Sequence, residues 1–535
     1  MRILLCCVLL LAAACTPRAD REAAPRIERD VRVLADDAME GREAGTRGYD
    51  RAARHVVARM RAIGLRPGAG AGYLQPVPLL RGTRVREGSR LAIERAGRTT
   101  ELRFADDWLP TPNFNAAART VTAPMAFVGQ AVHAPELGHD DFAGIDLAGK
   151  VAVLLPGAPA RFDNDRRAFH ASTRQKLDEL TRRGAVGALI VQTADDEARG
   201  PWARGAAQWA MPSMRLVESD GRVLDGWPRL QVVASVSRAA SDTVFAGSRA
   251  TPATLLRDMR AGTLRAFDLP GTVTLAARTH LEPLSSHNVV GRIDGRGALA
   301  GEFVVLTAHL DHVGIGVPVN GDAIHNGALD NALGVAVMLE AARVLAADAS
   351  TGPRRGVLVV ATTAEEKGLL GAQWFVHAPP VPRASIVANV NMDMPVLLEP
   401  TRDVVPIGIE HSTLAPIVRE AAAEVGVAVS PDPMPEETVF VRSDQYAFIR
   451  AGIPAVYLDG GVRTPWLRRD ASAQLRDFLR THYHQPSDEI DLPIQYADAA
   501  RLARLNAAIA ARIARESRRP RWNAGDFFGE RFARP

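Results

Sequence analysis

Residues 303–312 read FVVLTAHLDH, an uncharged and mostly apolar run that stops at a histidine and an aspartate. A short run apolar at successive rather than alternate positions suits a strand buried on both faces. The texture recurs along the second half of the chain. Residues 356–364 (GVLVVATTA) stop at Glu365 and Glu366, 386–392 (IVANVNM) stop at Asp393, and 455–458 (AVYL) give a fourth strand. Helical patterns lie between them, the clearest over 331–347, where Leu333, Val337, Ala341 and Leu345 fall on one face. Such strands alternating with helices predict an α/β fold, a mostly parallel sheet covered by helices on both faces.

In open sheets of this kind, ligands bind beyond the carboxyl ends of the strands. His309, Glu365 with Glu366, and Asp393 all stand there, while Asp330 (NGALDNALG) and His484 (YHQPSDE) sit at breaks rich in glycine or proline, where a loop can aim them. His309 and Asp311 are two apart, so in extended backbone they share a face. The Asp311 carboxylate is then placed to accept from the second nitrogen of a metal-bound imidazole and fix its tautomer. Asp330 precedes a helix and could be an N-cap, but its two oxygens could equally bridge two cations. Adjacent Glu365 and Glu366 must point different ways, as a solvated pair or as one metal ligand beside one free general base. His312 and His325 read as supporting or pocket residues.

Composition narrows the chemistry. The chain has 535 residues, enough for two or more domains, and is 47% hydrophobic and 24% charged, as soluble globular proteins are. Its formal charge of +4 comes from arginines spread along the sequence, the only lysines being Lys150, Lys176 and Lys367. No basic cluster is interleaved with aromatics, so no nucleic-acid partner is expected. Cys6, Cys7 and Cys15 are the only cysteines, and all fall in the first fifteen residues. A thiolate metal site or a disulfide in the body is thereby excluded, leaving histidine and carboxylate as metal donors.

Residues 1–15 read as a targeting signal: Arg2, an apolar stretch over 3–11, then Ala12-Ala13-Ala14-Cys15. The ending resembles a bacterial lipobox, which implies a lipid anchor on Cys15, an exported lipoprotein and a periplasmic location. Residues 16–111 are expected to form a helical segment packed on the catalytic domain. It has helical spacing at Ile27, Val31 and Leu34, then at Ala52, Val56, Met60 and Ile63 before a stop at Gly64. The GREAGTRG run between the two helices lacks the ending of a phosphate loop and reads as a plain connection. Over 112–275 the texture is β-like, with one helical pattern over 172–183. The stretch FVGQAVHAPELGHDDFAGIDLAGKVAVLL with GAVGALIVQ resembles the protease-associated domain inserted in many exopeptidases, and His133, His139 and Asp140 within it read as surface residues. Residues 276–515 form the expected catalytic domain and 516–535 a basic tail.

As an ordered set, the segments from about 286 to 491 resemble the dizinc exopeptidases of the bacterial leucyl aminopeptidase family, whose relatives include glutamate carboxypeptidases, glutaminyl cyclases and non-catalytic receptors. The resemblance implies two zinc ions per chain. His309 and Asp393 would hold one, Glu366 and His484 the other, and Asp330 both, with Glu365 as general base and Asp311 orienting His309. It further implies hydrolysis of peptides at a free amino terminus by a metal-activated water. A carboxypeptidase would instead need a basic pocket, for which Arg442, Arg463, Arg468 and Arg469 are available. Gln445 stands where the family commonly has a histidine, which marks it as a candidate pocket-wall residue, and Tyr457, Tyr483 and Arg442 are candidate oxyanion donors.

Overall fold

The computed structural model describes residues 17–465 and 472–533, so the expectations for residues 1–15 and for Arg468 and Arg469 lie outside the described residues. The chain divides into two compact units, one formed by residues 1–77 and 285–535 and the other by 78–284.

The first unit is built on four central parallel strands, in the order Ala455–Asp459, Ile386–Asn391, Phe303–His309, Gly356–Thr362. Asp403–Ile407 closes one side antiparallel to Ala455–Asp459, and the 289–293 end of strand Phe267–Ile293 closes the other antiparallel to Gly356–Thr362. Side-chain alternation divides the strands between two cores. Val304, Leu306, Ala308, Val357, Val359 and Ala361 pack on one face with helices Gly334–Ala346 and Tyr496–Arg515. Phe303, Val305, Leu358 and Val360 pack on the other with Phe375 and Phe448 from helices Leu370–His377 and Gln445–Arg450. Both faces are apolar, which is why the strands read as continuous apolar runs in the sequence.

The two expected N-terminal helices are present as Arg18–Leu34 and Arg47–Ile63. The second starts at Thr46, whose side chain accepts from the Tyr49 amide, and stops at Gly64 in the left-handed conformation. The first starts at Arg18, upstream of the spacing that begins at Ile27, with Pro25 inside it, a residue that hid the helical pattern there.

Helix does not continue toward residue 111. Residues 74–95 form a long strand whose first part alternates exposed and buried positions, Leu74 out, Gln75 in, Val77 and Leu79 in, and it pairs with Arg98–Leu102. Residues 78–111 therefore belong to the second unit rather than to the N-terminal helical segment. That unit carries its own sheet of parallel strands Ala118–Phe127, Val151–Leu154, Gly187–Val191 and Val232–Val236, flanked antiparallel by Trp108–Pro110 and by the 267–278 part of strand Phe267–Ile293. Helix Thr173–Arg182 matches the helical pattern read at 172–183. The 516–535 segment is not a bare tail. Asp526 caps helix Phe527–Phe532, and Phe528 is fully buried beside Phe440 and Tyr457.

Candidate metal centre

Each candidate ligand is delivered by the end of an element. His309 is the last residue of strand Phe303–His309. Asp393 follows Ile386–Asn391 by two residues, and Glu365 and Glu366 follow Gly356–Thr362 across Ala364, which turns the chain with a left-handed φ of 53°. Asp330 lies in the turn Ala328–Leu333 that opens helix Gly334–Ala346, and the Asp330–Asn331 peptide is cis. His484 stands in the turn after helix Ser472–Thr481, itself left-handed with φ 55°.

These five side chains converge. His309 Nε2 lies 2.8 Å from Asp393 Oδ1 and 3.3 Å from Asp330 Oδ1. His484 Nε2 lies 3.0 Å from Glu366 Oε2 and 3.3 Å from Asp330 Oδ2. Asp330 thus turns one oxygen toward each histidine. Donor atoms of His309, Asp330 and Asp393 all lie within 4.8 Å of one another, as do those of His309, Glu365 and Glu366. Two imidazoles and three carboxylates at this spacing, with His309 and Asp330 buried and the other three half-buried, are a hard-to-borderline donor set that fits divalent zinc.

Supporting residues fix the ligands. His309 Nδ1 is 3.0 Å from the backbone oxygen of Asp311, so the tautomer that donates there leaves Nε2 free as a ligand. The carboxylate of Asp311 does not make this contact, contrary to the sequence reading. The strand ends at His309, so alternation no longer governs residue 311, and the carboxylate turns instead to accept from the amides of Glu365 (3.0 Å) and Glu366 (3.3 Å). Asp488 performs the matching task for Asp330, accepting from the amides of Leu329 and Asp330 at 2.9 Å each. Asp488 was not singled out in the sequence, although it lies in the same YHQPSDE segment as His484. Asn331 accepts from the Met394 amide and donates to the Met392 carbonyl, tying the Asp330 turn to the Asp393 loop, and the Tyr457 hydroxyl donates to the Asp393 carbonyl at 2.7 Å.

His312 is fully buried and lies closer to the centre than a pocket residue, with Nδ1 2.7 Å from Glu366 Oε1 and 3.8 Å from Asp330 Oδ2. It meets the Glu366 oxygen that His484 does not, and its ring lies edge-on to that of His484 with centroids 5.7 Å apart. His325 is buried too, and burial pulls its pKa down to about 4, which keeps it neutral. Gln445 does not line a pocket. It is fully buried, accepts from Asn391 Nδ2 and donates to the carbonyls of Val439 and Phe440. The Tyr483 ring stacks on His484 with centroids 3.8 Å apart, and Arg442 pairs with Glu437 at the surface.

The electrostatics divide the carboxylates. Burial raises Asp330 and Glu366, but the surrounding histidines outweigh it and hold both well below the usual carboxylate range. Burial likewise opposes charge on His309 and His484, yet the carboxylates facing them raise both well above the usual imidazole value. Glu365 goes the other way. Burial, with Asp393 and Glu366 adding to it against the pull of His309, raises its carboxyl well above the ordinary range. A carboxyl whose proton affinity is raised in this way has the environment of a general acid–base group.

Residues 288–510 match peptidase family M28. An aminopeptidase from Aneurinibacillus sp. strain AM-1 has a similar fold, with a TM-score of 0.53 and 18% identity over 93% of this chain and 96% of that one. A zinc aminopeptidase from Bacillus subtilis (TM-score 0.44, 19% identity, covering 94% and 97%) and a peptidase M28 precursor from Shewanella amazonensis (0.43, 18%, 94% and 98%) align over similar lengths.

Proposed function

Residues 288–510 match peptidase family M28, and from that premise we propose that the chain is a dizinc aminopeptidase that removes residues from the amino end of peptides. The observation that carries the reading is the division of the Asp330 carboxylate between His309 and His484. His309 and Asp393 would hold one zinc ion, Glu366 and His484 the second, and Asp330 both. What such a pair supplies when bound is Lewis acidity, a polarised scissile carbonyl and an acidified water.

The chain's own groups do the rest. Glu365, whose carboxyl burial raises despite the pull of His309, takes the proton of the attacking water and returns it to the leaving amine. Asp311 holds the Glu365 and Glu366 amides and, through its carbonyl, the His309 ring, so base and ligand share one anchor. The carboxylates left around the site, Glu365 and Asp393 among them, are the natural partners of a free α-ammonium.

Substrate ends supply the test. Free-amine peptides and amino-acid amides with apolar first residues are expected to be cleaved by the zinc-loaded protein, whether or not the carboxyl end is amidated. N-acetylation, which removes the charge and adds bulk, should nearly abolish turnover. Robust cleavage of N-acetyl peptides that requires a free carboxylate would replace this reading with a carboxypeptidase, whose arginine pocket pairs with that anion.

We also propose export with a lipid anchor on Cys15. Among the described residues no helix is long and apolar enough to cross a membrane. Cys15→Ser should move a membrane-associated protein to the soluble exported fraction or leave an uncleaved precursor, and unchanged fractionation would refute the anchor.

A further inference from the structure

The GREAGTRG run, which the sequence presents as a connection between two helices, is wired to the loops that carry the metal centre. Arg42 is only 1% exposed, and the acceptors of its guanidinium are all backbone carbonyls: Leu310 (2.9 Å), Leu34 (2.6 Å), Asn326 (2.5 Å) and Gly327 (3.0 Å). Leu310 lies between His309 and Asp311, and Asn326 and Gly327 lead into the Asp330 turn. The Arg42 carbonyl in turn accepts from the His312 amide. On either side, Asp37 accepts from Asn326 Nδ2 at 2.8 Å, and Glu43 pairs at 2.8 Å with Lys367, the residue after Glu366.

The backbone here is held against its preference. Glu40, Gly41 and Arg42 are all left-handed, with φ of 52°, 64° and 52°. A Cβ on Gly41 would stand 2.5 Å from the Gly314 carbonyl and 2.6 Å from that of His325. Two non-glycine residues in this region persist only where surrounding contacts over-determine them.

We propose that Arg42 is a positioning residue for the metal centre, a buried fork that sets the His309–Asp311 and Asp330 loops at the separation two cations require. The proposal rests on the dizinc reading. Geometry rather than charge is the operative property, because a positive group beside the centre opposes cation binding. Burial pulls the guanidinium down to about 10, and the groups that push back are Asp330, Asp488, Asp311 and Glu366, the carboxylates of the centre and its supports. Lysine would keep the charge and lose the planar five-donor fork.

The experiment is zinc titration of the metal-free full chain against a competing chelator, for the native protein, Arg42→Lys and Arg95→Lys. Arg95 is a control from the other unit, whose guanidinium also donates only to carbonyls, those of Pro270, Thr243 and Val244. Arg42→Lys should weaken zinc binding by about ten- to a hundred-fold, the scale of lost ligand support. It should also shift the visible spectrum of the cobalt(II)-loaded protein, which a loss of global stability alone would leave unchanged. Arg95→Lys should leave affinity and spectrum as in the native chain. Should Arg42→Lys not fold, hydrogen exchange on the native chain decides: zinc should slow exchange over residues 37–46. Native affinity and spectrum in Arg42→Lys, or exchange over 37–46 indifferent to zinc, would overturn the proposal. A native chain that took up no zinc would overturn the dizinc reading itself.

Discussion

Glu365 and Glu366 are neighbours in sequence and opposites in environment. Glu366 sits between His312 and His484, which together outweigh burial and keep it ionised, whereas Glu365 faces Asp393 and Glu366 and retains its proton more readily. The first is a ligand's environment and the second a base's. Glu365→Gln should therefore lower kcat by about 10² or more while zinc content, measured by elemental analysis, stays native. Loss of a zinc equivalent in this variant would transfer the base role to Glu366. The residues that meet at the centre were legible because each ends an apolar run or sits at a loop break. The supports were less so. Asp311 was expected to act through its carboxylate, a reading that assumed extended backbone beyond the true strand end. Arg42 left no signature at all, since a guanidinium that binds carbonyls has no partner side chain to pair with in the sequence.

Among the elements, helix Thr173–Arg182 of the second unit poses a different problem. Lys176 points inward from it, 3% exposed, with Nζ donating to the carbonyls of Gln130 and Gly157. Burial lowers its pKa from 10.5 to about 7, against a smaller opposing pull from Asp141. Between these two values the unfolded chain binds more protons than the folded one, so stability rises with pH across that window. The contribution is complete above about 10.5 and is lost as pH falls through about 7. Denaturant midpoints of the second unit should accordingly climb between about pH 7 and about pH 9.5, and Lys176→Met should remove that slope. An equal slope in the variant would place the titrating group elsewhere. The helix itself was visible from its periodicity, but the inward lysine was not: on a helical wheel, a lone lysine reads as solvated.

At the scale of the molecule, the sequence placed the insertion's boundary at 112, whereas the structure moves it to 78. The cause is two strands too long for their ends to be read from composition, Leu74–Arg95 and Phe267–Ile293, each of which begins in one unit and finishes in the other. Within the first unit these strands run side by side. Tyr73 O accepts from the Val290 amide at 2.7 Å, and Asn288 Nδ2 donates to Gln75 Oε1 at 2.9 Å. The chain therefore leaves the first unit and re-enters it at adjacent points, the geometry that a tight turn can close. Residues 78–284, for their part, bury their own clusters, around Trp108, Phe127 and Phe245 and around Phe142 and Leu180. Every candidate ligand, together with Arg42, Asp311 and Asp488, belongs to the first unit. Replacing 78–284 by an Asn-Gly turn should thus yield a soluble chain that unfolds cooperatively and binds zinc with the parent's stoichiometry. Its turnover of long peptides against dipeptides, set beside the parent's, would then measure what the insertion adds to substrate choice. A deletion product that folds but takes up no zinc would show that the centre depends on residues 78–284, and the assignment of the whole metal site to one unit would fall.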